Sequence, residues 1–107
     1  MTQYEIWWAE LPIPIGRRPV LLLTRSRAYD YLTSYLAAEV THHIRGLAVE
    51  VPLGRTEGLE RRSVANLDNL RMVHRKRLIR RIGALPRSRV PEVQRALGSA
   101  LDWSELK

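Results

Sequence analysis

Apolar and polar positions along the chain change period once, near residue 88, and that change separates a series of strands from a final helix. Tyr4 to Leu11 opens with aromatic and β-branched residues and stops at Pro12-Ile13-Pro14-Ile15-Gly16, where two prolines withhold the amide donors that a ladder needs. Pro19 to Thr24, with the apolar run Val20 to Leu23 at its centre, has the pattern of a buried strand. Ser26 to Leu32 fits a short helix or a turn, and Tyr35 to Thr41 is strand-like again. Leu47 to Leu53 alternates, with Leu47, Val49 and Val51 on one face and Ala48, Glu50 and Pro52 on the other, ahead of a turn bracketed by Gly54 and Gly58. Ser63 to Leu67, Arg71 to Val73 and Leu78 to Leu85 predict shorter strands.

Beyond residue 88 the spacing is helical. From Ser88, the predicted cap, Val90, Val93, Leu97 and Leu101 recur every three or four positions, while Arg89, Glu92 and Arg95 face away. Pro91 is tolerated because it falls in the first turn. Several short strands separated by Gly and Pro turns and closed by one amphipathic helix predict a mainly β (α+β) fold, a compact barrel forming a single domain over 1–107. A chain of this length buries only roughly two-thirds of its surface, so association with a second copy would help it.

Composition narrows the setting. The absence of cysteine excludes disulfides and thiolate metal sites and favours a cytoplasmic protein. The longest strongly apolar run, Val20 to Leu23, is too short for a membrane span, and no basic segment followed by an apolar stretch opens the chain. The net charge of +7 is uneven: residues 1–53 hold five arginines against five acids, whereas the remainder holds thirteen basic residues against six acidic ones. The excess centres on His74-Arg75-Lys76-Arg77-Leu78-Ile79-Arg80-Arg81, and sixteen of the eighteen basic residues are arginine, whose planar fork suits phosphates. A polyanionic partner follows more naturally than a small neutral ligand.

The candidate chemistry sits at two strand ends. Arg17 and Arg18 stand at the mouth of the apolar strand, and Thr41 ends the next one and runs into His42-His43-Ile44-Arg45-Gly46. An arginine and a threonine brought together there make a phosphate site. A fixed donor to charge that develops in a transition state is worth about 3 to 4 kcal/mol, so one arginine can decide whether turnover is visible. Histidine is the side chain best matched to proton transfer near neutral pH, but neighbouring strand positions point to opposite faces, so at most one of His42 and His43 looks into such a site. The pair makes a poor metal site because no third ligand has a recognisable spacing, and His74 is part of the basic run.

These pieces also occur in a shared order. Gln3-Tyr4-Glu5-Ile6-Trp7-Trp8-Ala9-Glu10-Leu11 resembles an opening strand of the type Arg-Gly-Asp-Ile-Tyr-Trp-Ala-Asp-Leu, and Gly16 to Leu23 resembles Gly...Arg-Pro-Val-Leu-Val. Thr41 to Leu47 matches a strand-end Thr before Lys-Ile-Arg-Gly-Leu, and Gly58-Leu59, Ser63-Val64, Asp68-Asn69-Leu70-Arg71 and Arg77 to Gly83 follow in register. Together they resemble the MazF/PemK toxins, small endoribonucleases of bacterial toxin–antitoxin systems, over nearly the whole chain.

The resemblance implies an SH3-like β-barrel with a C-terminal amphipathic helix, a homodimer, and metal-independent, sequence-selective cleavage of single-stranded RNA to 2′,3′-cyclic phosphate and 5′-hydroxyl ends. It implies Arg18 as charge stabiliser and Thr41 as the donor to the scissile phosphate, with His42 and Asp68 as assisting candidates. Arg17, Arg45, Arg71, Arg75, Lys76 and Arg77 would contact RNA. No cofactor and no metal are implied, and the partner would be a cognate antitoxin with an acidic C-terminal tail.

Three positions depart from the pattern: the connection from Leu11 to Arg17 is short, Asn66 stands where some members have a catalytic arginine, and Tyr4 stands where the pattern has glycine. Two other classes use the same barrel, a non-catalytic nucleic-acid or protein-binding module and a gyrase-directed toxin. The C-terminal residues Leu101 to Lys107 give no pointer to the latter.

Overall fold

Six strands form one antiparallel sheet in the computed structural model, which describes residues 1–107: β1 Glu5–Leu11, β2 Gly16–Leu22, β3 Ser34–Thr41, β4 Glu50–Leu53, β5 Ser63–His74 and β6 Leu78–Ala84. Their spatial order is β4-β5-β3-β2-β1-β6, and one helix, α1 Val90–Leu101, follows. The segment that fitted either a helix or a turn is a 3-10 turn at Ser26–Asp30.

The sheet is apolar on both faces, which is what makes it curl. Ile6, Leu21, Ala38, Val40 and Leu67 pack with Val93 and Ala96 of α1, and a second cluster gathers Ala9, Leu11, Val20, Leu22, Ala37 and Val73. β2 therefore feeds both clusters with successive residues, the physical reason for its unbroken apolar run. Each such leucine or valine contributes about 1.5 to 3 kcal/mol by leaving water.

Two predicted strands, Ser63 to Leu67 and Arg71 to Val73, are one. β5 pairs with β3 on both sides of a break: Ala38 faces Leu70 whereas Glu39 faces Asn66, so Leu67-Asp68-Asn69 have no partner on β3, with Asp68 and Asn69 exposed and Leu67 turned into the core, and the strand continues. The strand predicted from Leu47 begins only at Glu50. There the Glu50 carboxylate accepts the backbone N–H groups of Arg45, Gly46 and Leu47, and folds the preceding residues into a loop.

The curled sheet is a half-barrel whose edges, β4 and β6, meet without a ladder. The 3-10 turn Arg55–Glu57 after β4 lies directly on β6. Gly58 has φ of 97°, and a Cβ there would come within 2.5 Å of the Ile82 carbonyl oxygen. A Cβ on Gly83 would overlap the Glu57 carbonyl oxygen. Only glycine at both positions allows the backbones this close.

The helix start differs from its prediction. Ser88 lies inside a 3-10 turn, Arg87–Arg89, closed by the Arg89 amide on the Pro86 carbonyl (2.9 Å); the cap position is Arg89, and no side chain caps the helix. Arg89 does not face away. Its guanidinium lies 3.2 Å from the buried Glu57 carboxylate and 2.8 Å from Glu92, and donates to the Pro52 carbonyl at 2.6 Å. Leu101, predicted as core, is 56 % exposed, because the helix turns its Val93 and Ala96 face to the sheet and ends at Asp102 in the left-handed region. No helix is long and apolar enough to cross a membrane.

Candidate nucleic-acid interface

At one end of the half-barrel the strands open onto a cavity of about 500 Å3. β2 supplies Arg17 and Arg18 at its start, β3 supplies Thr41 at its end with His42 just beyond, and β6 supplies Arg80 and Arg81. Trp8, Pro19 and Val40 contribute apolar lining, and Gly58 to Arg61 with Ser63 and Ile82 complete it. Five arginines line this space with one carboxylate, Glu60, so its potential favours an anion. No group of three or more His, Cys, Asp or Glu side chains is placed to hold a metal ion.

The strand register brings the central pair together. Val20 faces Glu39 across β2 and β3, and the same register carried two residues further sets Arg18 across from Thr41. The Thr41 Oγ1 accepts the His43 backbone N–H at 3.1 Å, which leaves its own proton free to donate. Arg18 donates through Nη1 to Oε1 of Glu39 at 3.1 Å. Glu39 is only 6 % exposed, and its second oxygen, Oε2, lies 2.9 Å from Nε and 2.8 Å from Nη2 of Arg71.

The cavity rim is held by a second ion pair. Arg81 Nε lies 3.3 Å from Glu5 Oε2, and the Trp7 indole N–H donates to Glu5 Oε1 at 2.9 Å. Burial pushes the Glu5 carboxyl upward, but hydrogen bonds from Trp7, Thr2 and Arg81 outweigh it and hold the carboxyl below its ordinary range. Arg17 meets Glu10 at 3.2 Å on the open surface, where such a pair contributes little.

Of the residues singled out from sequence, Arg17, Arg18, Thr41 and His42 line the cavity. Asp68 does not: it lies exposed in the β5 bulge, with its backbone N–H donated to Asn66 Oδ1. Arg45 is exposed on the loop held by Glu50, and Arg75 and Lys76 are exposed in the 3-10 turn between β5 and β6. Arg71 turns to Glu39, and with Arg77, His74 and Met72 it borders a second cavity, also of about 500 Å3. Sequence reasoning passed over Trp8, Glu39 and Arg61, and took Arg80 and Arg81 only as part of the basic run. Arg80 and Trp8 are opposite each other across β6 and β1, and the basic run already contained the signal for Arg80 and Arg81. Glu39 carried none, because a lone acid in an apolar strand does not announce its partners.

Residues 2–101 match the family described as PemK-like, MazF-like toxin of type II toxin-antitoxin system. The chain is 42 % identical over 101 residues to the probable endoribonuclease MazF5 of Mycobacterium tuberculosis, covering 94 % of this chain and 92 % of that protein. Its fold superposes on the Mycobacterium tuberculosis toxin MazF-mt6 with a TM-score of 0.86 at 39 % identity, covering 92 % of this chain and 96 % of the other. A MazE-MazF structure from Deinococcus radiodurans gives a TM-score of 0.75 at 26 % identity, with 94 % of both chains covered. The half-barrel, its terminal helix and the arginine-lined cavity are thus those of a chain that belongs to the PemK-like, MazF-like toxin family.

Proposed function

We propose that this toxin is an endoribonuclease that cuts single-stranded RNA without a metal, by transesterification. The 2′-hydroxyl oxygen attacks the adjacent phosphorus, the P–O5′ bond breaks, and the products carry a 2′,3′-cyclic phosphate and a 5′-hydroxyl. Arg18 stabilises the charge that builds on the phosphorane and is the candidate donor of the proton that the departing 5′-oxygen takes up, Thr41 donates to a phosphate oxygen, and His42 is the assisting candidate for the proton leaving the 2′-hydroxyl. The observation that carries this reading is the convergence of Arg18 and Thr41, from the ends of adjacent strands, in a cavity also lined by Arg61 and by Arg80 and Arg81 of β6. Endoribonuclease names on the relatives support the reaction class.

The same cavity supports regulation by an antitoxin with an acidic, extended tail, which would occupy the RNA path by charge mimicry; the MazE-MazF structure supports a partner of that kind. Such a peptide should inhibit cleavage competitively and lose affinity as salt rises. A cytoplasmic homodimer is the form in which this activity is expected.

The decisive experiment is cleavage of single-stranded RNA in EDTA with end-group analysis. RNA should be cut to the ends named above, while DNA, and RNA carrying a 2′-deoxy sugar at the cut, should survive. A requirement for added divalent metal would overturn the mechanism. A second reading, binding without cleavage, draws on one observation, the engagement of Arg18 by Glu39; intact RNA retained in stable complexes would establish it.

A further inference from the structure

We infer that Glu39 is a positioning residue that sets the direction of the Arg18 guanidinium, with Arg71 as the counter-charge that makes a carboxylate tolerable at that depth. The inference rests on the proposed role of Arg18. Glu39 is one of three buried polar residues in the chain, at 6 % exposure, and stands two residues before Thr41 on β3. A carboxylate so placed is costly unless charged donors satisfy it, and both of its oxygens meet arginines: Oε1 meets Arg18 at 3.1 Å and Oε2 meets Arg71 at 2.8 Å.

The two arginines reach Glu39 from different strands. Arg18 comes from β2, which pairs with β3 on one side, and Arg71 comes from β5, which pairs on the other. Arg71 faces Ala37, two positions from Glu39 on the same face of β3, so its side chain reaches the carboxylate as a diagonal neighbour across the β3–β5 pair. The contact with Glu39 uses Nη1 of Arg18, and the remaining faces of that fork are the ones left for a phosphate oxygen. Arginine has many rotamers, and fixing one in advance removes that search from the reaction. The Glu39 carboxylate is also matched by Arg71, so the trio of one acid and two bases keeps a net positive charge beside the cavity.

The test is a kinetic cycle on RNA cleavage with Glu39→Gln, Arg18→Ala and the double variant, reading kcat and KM separately together with thermal melting. Glu39→Gln should lower kcat about tenfold with KM changed less than about twofold, because misdirection of a charge stabiliser acts on the transition state. In the Arg18→Ala background the same change should leave kcat where Arg18→Ala alone puts it. Multiplicative losses in the double variant, an unchanged or raised kcat in Glu39→Gln, or a loss confined to KM would overturn the inference. Full activity in Arg18→Ala alone would instead remove the assignment of Arg18 and is read separately. Should Glu39→Gln fail to fold, Glu39→Gln combined with Arg71→Met removes the unmatched arginine. That pair must show the same kcat loss over a normal melting transition, and wild-type kcat in it refutes the positioning role.

Discussion

Arg18 and Thr41 owe their meeting to one register, and each should fail differently when truncated. Arg18→Ala is expected to lower turnover about a hundredfold or more while RNA binding changes far less, since a donor to developing charge acts mainly in the transition state; single-turnover cleavage beside filter binding checks it. Thr41→Ala should act in the same direction more mildly, because a neutral hydroxyl is the weaker donor. Tyr4 illustrates a different residue-scale compromise. It adopts φ of 69° where related sequences were expected to carry glycine, yet its ring packs on the main core cluster. A left-handed conformation costs a non-glycine residue about 1 to 2 kcal/mol, a sum the ring contacts offset, so Tyr4→Gly should change the melting temperature little despite the loss of a large side chain.

Arg89 joins three elements, α1, β4 and the turn after β4, through Glu92, the Pro52 carbonyl and Glu57. Arg89→Ala should destabilise the protein by about 3 kcal/mol in urea unfolding, because it strands the buried Glu57 carboxylate. The hydrogen bond from Arg89 holds the Glu92 carboxyl below its ordinary 4.5, and backbone amides of Leu47, Arg45 and Gly46 outweigh burial to hold Glu50 low as well. A depressed folded-state pKa contributes stability above the unfolded value and loses it as pH falls through the folded one. Urea midpoints should therefore hold steady down to about pH 5 and decline below it, and Arg89→Ala should flatten that decline. At this scale the sequence showed most of the fold: period and turn residues located five strands and the helix within a few positions. It split β5, because Asp68 and Asn69 look like a turn when they are a bulge paired past on both sides. It put the helix cap at Ser88, because a 3-10 turn leaves no mark in apolar spacing. For the site, the two strand ends were legible, since apolar strands ending in Arg and Thr are visible in one dimension. Arg61 and Trp8 were not, and Arg80 was legible only as part of the basic run, because only the closing of the half-barrel carries β6 and the turn after β4 to the same mouth.

Over the whole molecule, the charge asymmetry resolves into place. The basic second half of the chain brings Arg61, Arg80 and Arg81 to the cavity, whereas Arg75 and Lys76 stay outside it. Arg80→Ala and Arg81→Ala should weaken RNA binding and lower the slope of log affinity against log salt by about 0.7 per lost phosphate contact, while Arg75→Ala should do less. Ile13 and Met72, 92 % and 61 % exposed, both border the second cavity, an apolar pair that a second copy of the chain would cover. Sedimentation at micromolar concentration should accordingly give a dimer. The glycine contact at Gly58 and Gly83 has a bearing on how such a molecule breathes. Every other junction around the half-barrel is stitched by hydrogen-bonded strand pairs, but this one has no ladder and rests on close backbone packing and on Leu59 and Ile82 in the main core cluster; Gly58, Leu59 and Ile82 are also walls of the cavity. The one junction in the circumference without a ladder is therefore also the lip of the mouth, and the amides beside it should be the first of the barrel to exchange with solvent in a hydrogen-exchange experiment.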